Sequence, residues 1–171
     1  MKRLGHLIES IANIGGYFSG WLVPVMIALI FVEVFMRYVL NRPPAVADEF
    51  SAYMLVALSV LGVAYTWRQK GHVRITALVS RLSPKAASWL RLITLVFVFL
   101  FVLGLFQGSY EFMASSFKLH RASSTWFHTP LQGPHMTMAI GFAIFLLVLI
   151  VDIARAIVNI KAGKSAEEAS R

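Results

Sequence analysis

The sequence predicts an all-α integral membrane protein with four transmembrane helices, and two observations carry this prediction. Of the 171 residues, 58% are hydrophobic and only 14% are charged, whereas about a quarter of the residues in an average soluble domain are charged. The apolar residues also form four runs, each near or above the roughly 20 residues that a helix needs to cross a bilayer. The predicted spans are residues 17–39, 49–67, 84–117 and 135–158, within one membrane domain of residues 1–160.

The first 16 residues predict a short amphipathic helix at the membrane surface. Their apolar side chains recur three or four positions apart, as in a helix with one apolar face. A cleaved signal peptide is the alternative, because a basic start precedes an apolar run and residues 45–47 are small. However, the run is too long, and Glu33, Arg37 and Arg42 lie between it and that cleavage pattern. We therefore expect the first span to remain.

The first two spans are predicted to form a hairpin. Pro43 and Pro44 cannot continue a helix, so the chain is expected to turn there. The second span then begins at Asp48 and Glu49 and ends near Trp67. Carboxylates interact favourably with the positive end of a helix dipole, which favours a helix N-terminus at this position.

A second interfacial helix is predicted for residues 73–82, where Arg74 and Arg81 lie away from the apolar side. Ser83 and Pro84 then supply an N-cap and a proline at the first helical position, so the third span should begin there. A helix over residues 84–117 is about 50 Å long. We expect it to tilt or to extend beyond the bilayer.

The third and fourth spans are joined by a polar connection in which Pro130, Gly133 and Pro134 predict non-helical backbone. The fourth span is followed by residues 161–171, a polar tail that is expected to be disordered. Twelve of the 16 lysines and arginines lie at the N-terminus, in the stretch from Arg68 to Arg91, or at the C-terminal end from Arg155 onward. Because such residues are enriched on the cytoplasmic side, both termini are predicted to be cytoplasmic.

Glu33 is predicted to lie inside the first span, where a lone carboxylate would cost about 3 kcal/mol. Arg37 follows one turn later and could offset that cost by pairing with it. Two interpretations stay open: a self-satisfied pair near the outer interface, or a charged contact to a partner or a proton site. Asp48 and Glu49 also have two possible roles: they cap the second helix, or they bind a cation or an arginine of a partner protein.

Other polar residues in the spans are interpreted as interhelical or self-satisfied groups: Gln107, Ser109, Asp152 and Arg155. The pairs Gly16/Gly20 and Gly104/Gly108 would permit close helix contact.

A haem-binding bundle needs histidines near the membrane centre, and all five histidines lie outside the predicted centre. No cysteine is present, and we find no metal-ligand cluster, phosphate-binding loop or catalytic set. We therefore expect no cofactor and no enzymatic activity.

The net charge of +8 does not indicate a nucleic-acid partner, because the basic residues lie beside the apolar runs, as topology signals do. Those at the end of span two and after it are expected to contact lipid headgroups: Arg68, Lys70, Arg74 and Arg81. No span carries the series of polar residues that would line a transport pathway. The chemistry is therefore expected to reside in a partner protein.

Four stretches of the sequence resemble the small membrane subunit of tripartite ATP-independent periplasmic (TRAP) transporters. They are E-V-F-M-R-Y-V-L-N-R-P from residue 33, D-E-F at 48–50, L-G-V-A-Y-T-W-R-Q-K-G-H-V at 61–73 and S-S-T-W-F-H-T-P-L at 123–131. The resemblance covers nearly the whole chain in order and spacing.

The resemblance implies a scaffold for a large multi-span permease subunit that imports an organic acid, commonly with sodium coupling. A periplasmic binding protein would deliver the substrate. The positions that match the family pattern are candidates for structural or intersubunit roles: Glu33, Arg37, Asp48, Glu49, His72 and Pro130.

Two other functions remain as alternatives. A self-sufficient, proton-coupled homodimeric exporter would use Glu33 as its transport site, although such a site favours an unpaired carboxylate. A membrane enzyme or quinone-linked haem subunit would need a ligand set that the sequence lacks.

Overall fold

The computed structural model describes residues 2–42, 46–69, 83–125 and 127–161. Over these residues the chain forms four α-helices: α1 (Lys2–Val39), α2 (Ala47–Arg68), α3 (Pro84–Leu119) and α4 (Gln132–Lys161). Each helix contains a segment long and apolar enough to cross a membrane. The predicted four-helix, all-α membrane fold is therefore confirmed. The predicted helix at 73–82, the prolines at 43 and 44, and the tail from residue 162 lie outside the described residues.

Helix α1 differs from the expectation of a surface helix followed by a separate span, because it is continuous from Lys2 to Val39. Ala12 is almost fully buried, so the early part of α1 packs against other helices. Gly16 lies so close to α2 that an added Cβ would be 2.3 Å from Cγ of Tyr65. The glycine therefore serves this close contact, and the helix continues through it.

The starts of α2 and α3 agree with the sequence analysis. Asp48 and Glu49 lie in the first turn of α2. Ser83 is the N-cap of α3, where its hydroxyl accepts a hydrogen bond from the backbone N–H of Ala86 at 3.4 Å. Pro84 follows in the first helical turn, where its missing N–H leaves no hydrogen bond unmade.

The connection between α3 and α4 is a short hairpin-like loop. Ala122 and Pro130 form an isolated antiparallel bridge, and the N–H of Ser123 donates to the carbonyl of Thr129 at 2.9 Å. The prediction of non-helical backbone at Gly133 and Pro134 is wrong, because α4 already begins at Gln132. A proline in the first turn removes an N–H that would have no intrahelical partner, so it does not prevent the helix from starting.

Helix α4 lies at the centre of the packing. It contacts α1, α2 and α3, whereas α3 packs mainly on α4. Leu149 of α4 and Ala64 of α2 are fully buried in this core. Gly141 brings α4 against α2, since an added Cβ would be 2.4 Å from Cγ1 of Val60. Large apolar side chains on the outer sides of α1 and α3 remain exposed, among them Phe31 and Phe97.

Consecutive helices run antiparallel, so the molecule has two ends. We call the end that contains Glu9, Arg68 and Arg155 the terminal end, because the described N- and C-terminal segments meet there. We call the opposite end, which contains Glu33 and His135, the loop end. The start of α1 and the end of α4 therefore lie at the same end of the molecule.

Candidate functional site

Glu33 joins α1 to the start of α2 at the loop end. One carboxylate oxygen accepts a hydrogen bond from Nη2 of Arg37 at 2.6 Å, and the other accepts from the backbone N–H of Ala47 at 2.5 Å. The first N–H groups of a helix have no intrahelical partner, and Val46 at the N-cap supplies no side-chain hydrogen bond. Glu33 therefore caps α2 from a neighbouring helix. Its residue exposure is only 4%.

The predicted pair of Glu33 and Arg37 is thus present, and the contact to Ala47 adds a partner that the sequence did not reveal. Arg37 keeps 45% of its side chain exposed, which places the cation at the edge of the helix assembly. Glu33 therefore has no free carboxylate oxygen directed outward.

Asp48 and Glu49 are adjacent in sequence but have different surroundings. Asp48 is exposed, whereas Glu49 is buried with 7% exposure. The carboxylate of Glu49 accepts a hydrogen bond from the hydroxyl of Tyr53 at 2.7 Å and another from Oγ1 of Thr125 in the loop between α3 and α4. Hydrogen bonds to a charged group are stronger than neutral ones. Glu49 therefore fixes this loop against the start of α2.

Two further contacts organise α3, the loop and α4. Oγ of Ser116, which is fully buried, lies 2.5 Å from Nδ1 of His135. The ring of His135 also contacts that of Phe112, with centroids 5.8 Å apart.

Pro130, a predicted candidate, forms the antiparallel bridge with Ala122 in the loop between α3 and α4. The predicted candidate His72 lies outside the described residues.

Glu9 connects three helices at the terminal end. Its carboxylate pairs with Nη2 of Arg155 at 2.6 Å and with Nη2 of Arg68 at 3.5 Å. Nη1 of Arg68 also donates to the backbone carbonyl of Glu9 at 2.8 Å and to Oδ1 of Asn13 at 2.7 Å. Arg68 was expected to contact lipid headgroups, and the structure shows that it binds α1 within the protein. The other three residues of that expectation, Lys70, Arg74 and Arg81, are not among the described residues.

Trp67 and Asp152 add a second contact at the terminal end. Nε1 of Trp67 donates to Oδ2 of Asp152 at 2.9 Å, and the indole meets the ring of Phe145 edge-on at 5.7 Å. The sequence alone is compatible with either an interhelical or a self-satisfied role for Asp152 and Arg155. The structure gives each of them a partner on another helix.

Between the two ends, the polar side chains that do bond stay within their own helices. Several hydroxyls donate to the carbonyl four residues earlier: Ser19, Ser59, Thr66, Thr94, Ser109 and Thr137. Within the described ranges, no group of three His, Asp or Glu residues could hold a metal ion. The polar contacts between helices therefore form two groups, which we call clamps. One clamp, at the terminal end, contains Glu9, Arg68 and Arg155. The other, at the loop end, contains Glu33 and Glu49.

Comparison with known proteins places most of these residues in one recognised family pattern. Residues 26–159 match the family model of the tripartite ATP-independent periplasmic transporters, DctQ component. A protein of Haemophilus influenzae (strain Rd), provisionally named a TRAP transporter small permease protein, is 27% identical over 110 residues. That alignment covers 64% of this chain and 66% of the relative, slightly less than two thirds of its length. Glu9 precedes the region matched by the family model.

Proposed function

The chain belongs to the DctQ component family of the tripartite ATP-independent periplasmic transporters, and from this membership we propose that it scaffolds a larger permease subunit in the membrane. Its four helices make it a multi-pass membrane protein. The proposed subunit is static: it holds the fixed part of the permease in place while the mobile part carries the substrate across.

One observation carries the scaffold proposal. Every interhelical polar contact among the described residues lies at the terminal end or the loop end, as in the contacts of Glu9 with Arg155 and of Glu33 with Ala47. Such clamps resist relative movement of the helices, because each one holds a charged group to a fixed partner. Meanwhile the apolar outer sides of α1 and α3 stay open for lipid or protein. A rigid core with an open apolar surface suits a scaffold.

The same contacts disfavour the exporter alternative. A carboxylate that binds and releases protons or cationic substrates must be free to change partners. Both oxygens of Glu33 already accept hydrogen bonds, from Arg37 and from Ala47. We therefore assign Glu33, Arg37, Glu49 and Pro130 structural roles, and we leave Asp48, which is exposed, as a candidate contact to a partner.

The orientation of the subunit follows from its charge distribution. Twelve of the 16 lysines and arginines lie at the N-terminus, between Arg68 and Arg91, or from Arg155 onward, and the described contacts of Arg68 and Arg155 lie at the terminal end. We propose that this end faces the cytoplasm of a bacterium and that the loop end faces the periplasm. Residues 1–160 would then form one domain in the inner membrane, with both termini inside.

The partners extend this proposal. A periplasmic binding protein would deliver an organic acid to the large permease subunit, with sodium as the coupling ion. Neither a substrate site nor a coupling site is assigned to this chain, because its membrane-depth hydroxyls bond to their own helices. Specificity would reside in the other two proteins.

Co-purification tests the proposal directly. The tagged chain is isolated from its native membrane in a mild detergent, and the bound proteins are identified by mass spectrometry. A single large multi-span permease is the expected result. Recovery of the chain only as a homo-oligomer would overturn the scaffold assignment and would return Glu33 to consideration as a transport site.

A further inference from the structure

One side of α3 carries polar groups that the rest of the described chain does not engage. Gly104, Gln107, Gly108 and Glu111 recur three or four residues apart, so they lie on one side of the helix. We call these four residues the polar face of α3. Gln107 and Glu111 are exposed, and neither has a hydrogen bond or ion pair among the residues that the structure describes.

The packing of α3 on α4 places this face at membrane depth. Ser116 bonds to His135 near the loop end, and Gln107 precedes Ser116 by nine residues, or about 14 Å along the helix. Because α3 and α4 run antiparallel, Gln107 lies level with the middle of α4. The central segments of the other three helices contain no charged residue: 17–32, 54–66 and 136–151.

An exposed carboxylate and amide at this depth would be unfavourable against lipid tails. Charged residues in membrane helices almost always face protein or a water-filled cavity, and polar side chains between helices form hydrogen bonds across the contact. Val102 and Ser109 are buried on the side of α3 that packs on α4, so the polar face points away from the chain's own core. It therefore requires a partner outside this chain.

Gly104 and Gly108 leave room for a close neighbour. A Cβ added at either position would meet nothing within 4 Å, so the packing within this chain does not require glycine there. Gly16 and Gly141 differ, because an added Cβ would collide with Tyr65 or Val60. Small residues are the ones that let the backbones of two membrane helices approach closely.

Charge identifies the kind of partner. A symmetric contact between two copies of α3 would bring the two Glu111 carboxylates together, which is unfavourable in a low-dielectric environment. A second copy also offers no lysine or arginine at this depth in its other spans, since the segments 17–32, 54–66 and 136–151 contain none. The partner must therefore be a different protein that supplies the cation.

We propose that the polar face of α3 docks a transmembrane helix of the large permease subunit that carries a lysine or arginine opposite Glu111. A hydrogen-bonding side chain of the same helix faces Gln107. This inference rests on the proposed scaffold function, and it adds the surface and the chemistry by which the two subunits recognise each other.

Site-specific photo-cross-linking in the intact complex tests this surface. A benzophenone amino acid is placed at position 100 or 107 of α3, on the same side of the helix as Gly104, and at position 27 of α1 as a control, because Leu100 and Ile27 are both exposed apolar residues. The expected result is a cross-link from positions 100 and 107 to the large subunit. Cross-links to the large subunit from position 27 alone, or cross-links between two copies of this chain from α3, would overturn the inference.

Charge reversal gives an independent measurement. Glu111→Lys is expected to reduce the amount of large subunit recovered per small subunit at least about tenfold. The substitution removes the carboxylate of a desolvated charge pair and places a positive charge opposite the partner's cation. The variant purified alone should unfold at the same temperature as the unchanged chain, since Glu111 has no partner among the described residues. A basic residue of the large subunit, identified from the cross-link, is then changed to Glu, and the double variant should recover the complex.

These outcomes separate the two proposals. If no permease co-purifies with the unchanged chain, the scaffold function itself fails. If the permease co-purifies equally well with the chain carrying Glu111→Lys, the scaffold function stands and the docking surface is wrong.

Discussion

The carboxylate of Glu33 accepts a hydrogen bond from the backbone N–H of Ala47 at 2.5 Å, so one transmembrane helix supplies the N-terminal cap of the next. The same carboxylate pairs with Arg37, one turn later on its own helix. Glu33 is therefore bound both within its own helix and to α2. At the loop end, Glu33 thus joins α1 to the start of α2.

Substituting Glu33 should destabilise the chain more than substituting Arg37. Loss of a helix cap typically costs about 0.5–2 kcal/mol, and Glu33→Ala, which has no acceptor for the Ala47 N–H, also leaves Arg37 without its carboxylate. Arg37→Gln leaves the cap in place, and the guanidinium is already 45% exposed. Thermal unfolding in detergent, followed by tryptophan fluorescence, should show the lower Tm for Glu33→Ala. An equal or larger decrease for Arg37→Gln would contradict the capping role.

Thr125→Val should release the loop between α3 and α4 from α2. The hydroxyl of Thr125 donates to Glu49, and a hydrogen bond to a charged group contributes about 1.5–3 kcal/mol. Hydrogen exchange at the amides of Ser123 and Leu131, which bond across the loop, should accelerate by roughly tenfold or more. Thr125→Ser retains the hydroxyl and should exchange nearly as slowly as the unchanged chain. Unchanged protection in Thr125→Val would show that the hydrogen bond from Thr125 to Glu49 does not hold the loop.

At the terminal end, Arg68 should matter more than Arg155. Arg68 contacts Glu9 and Asn13 and keeps only 24% of its side chain exposed. Arg155 makes one ion pair with Glu9 and is 55% exposed, and such exposed pairs contribute about 0–1 kcal/mol. Arg68→Ala should therefore lower the Tm clearly and Arg155→Ala only slightly. A similar decrease for both variants would mean that the two cations contribute equally.

Substitutions of glycine should separate internal contacts from open surface. Gly141→Ala places a Cβ against Val60, and overpacking of this kind costs about 1–3 kcal/mol. Gly104→Ala meets no atom within 4 Å and should stabilise the isolated chain slightly, because alanine favours helix over glycine by about 1 kcal/mol. The Tm of each purified variant measures the difference. Equal Tm values for the two variants would contradict the close contact at Gly141.

Gly104→Ala should have the opposite effect in the complex. If the polar face of α3 is covered by the permease, the added methyl group obstructs the approaching helix. The ratio of large to small subunit recovered by co-purification should fall, although the isolated variant is no less stable. An unchanged ratio would show that no helix approaches closely at this position.

Local patterns were sufficient to predict the helices and one of the clamps. Hydropathy and length identified all four spans, since membrane-length apolar runs have few alternatives. Ser83 and Pro84 marked the start of α3 because capping acts over three residues. The pair of Glu33 and Arg37 was visible because residues four apart lie on one helix face.

Contacts between distant residues could not be predicted in the same way. Glu9 and Arg155 are 146 positions apart, and nothing in either local sequence indicates that α1 and α4 meet there. From the local sequence, Arg68 is therefore one more basic residue at a span end.

The start of α4 was predicted wrongly for a different reason. Pro134 was interpreted as a sign of non-helical backbone, whereas a proline in the first turn of a helix is compatible with helical structure.

The position of α4 at the centre of the packing has a consequence for biosynthesis. Helices α1 and α2 contact each other directly, so this hairpin can assemble as soon as both helices have left the ribosome. Helix α3 packs mainly on α4, the last helix to be synthesised, and must wait in the bilayer until α4 arrives. The final helix thus completes the subunit in a single late step. A chain that ends before Gln132 would contain the paired helices α1 and α2, and α3 would lack the helix on which it packs.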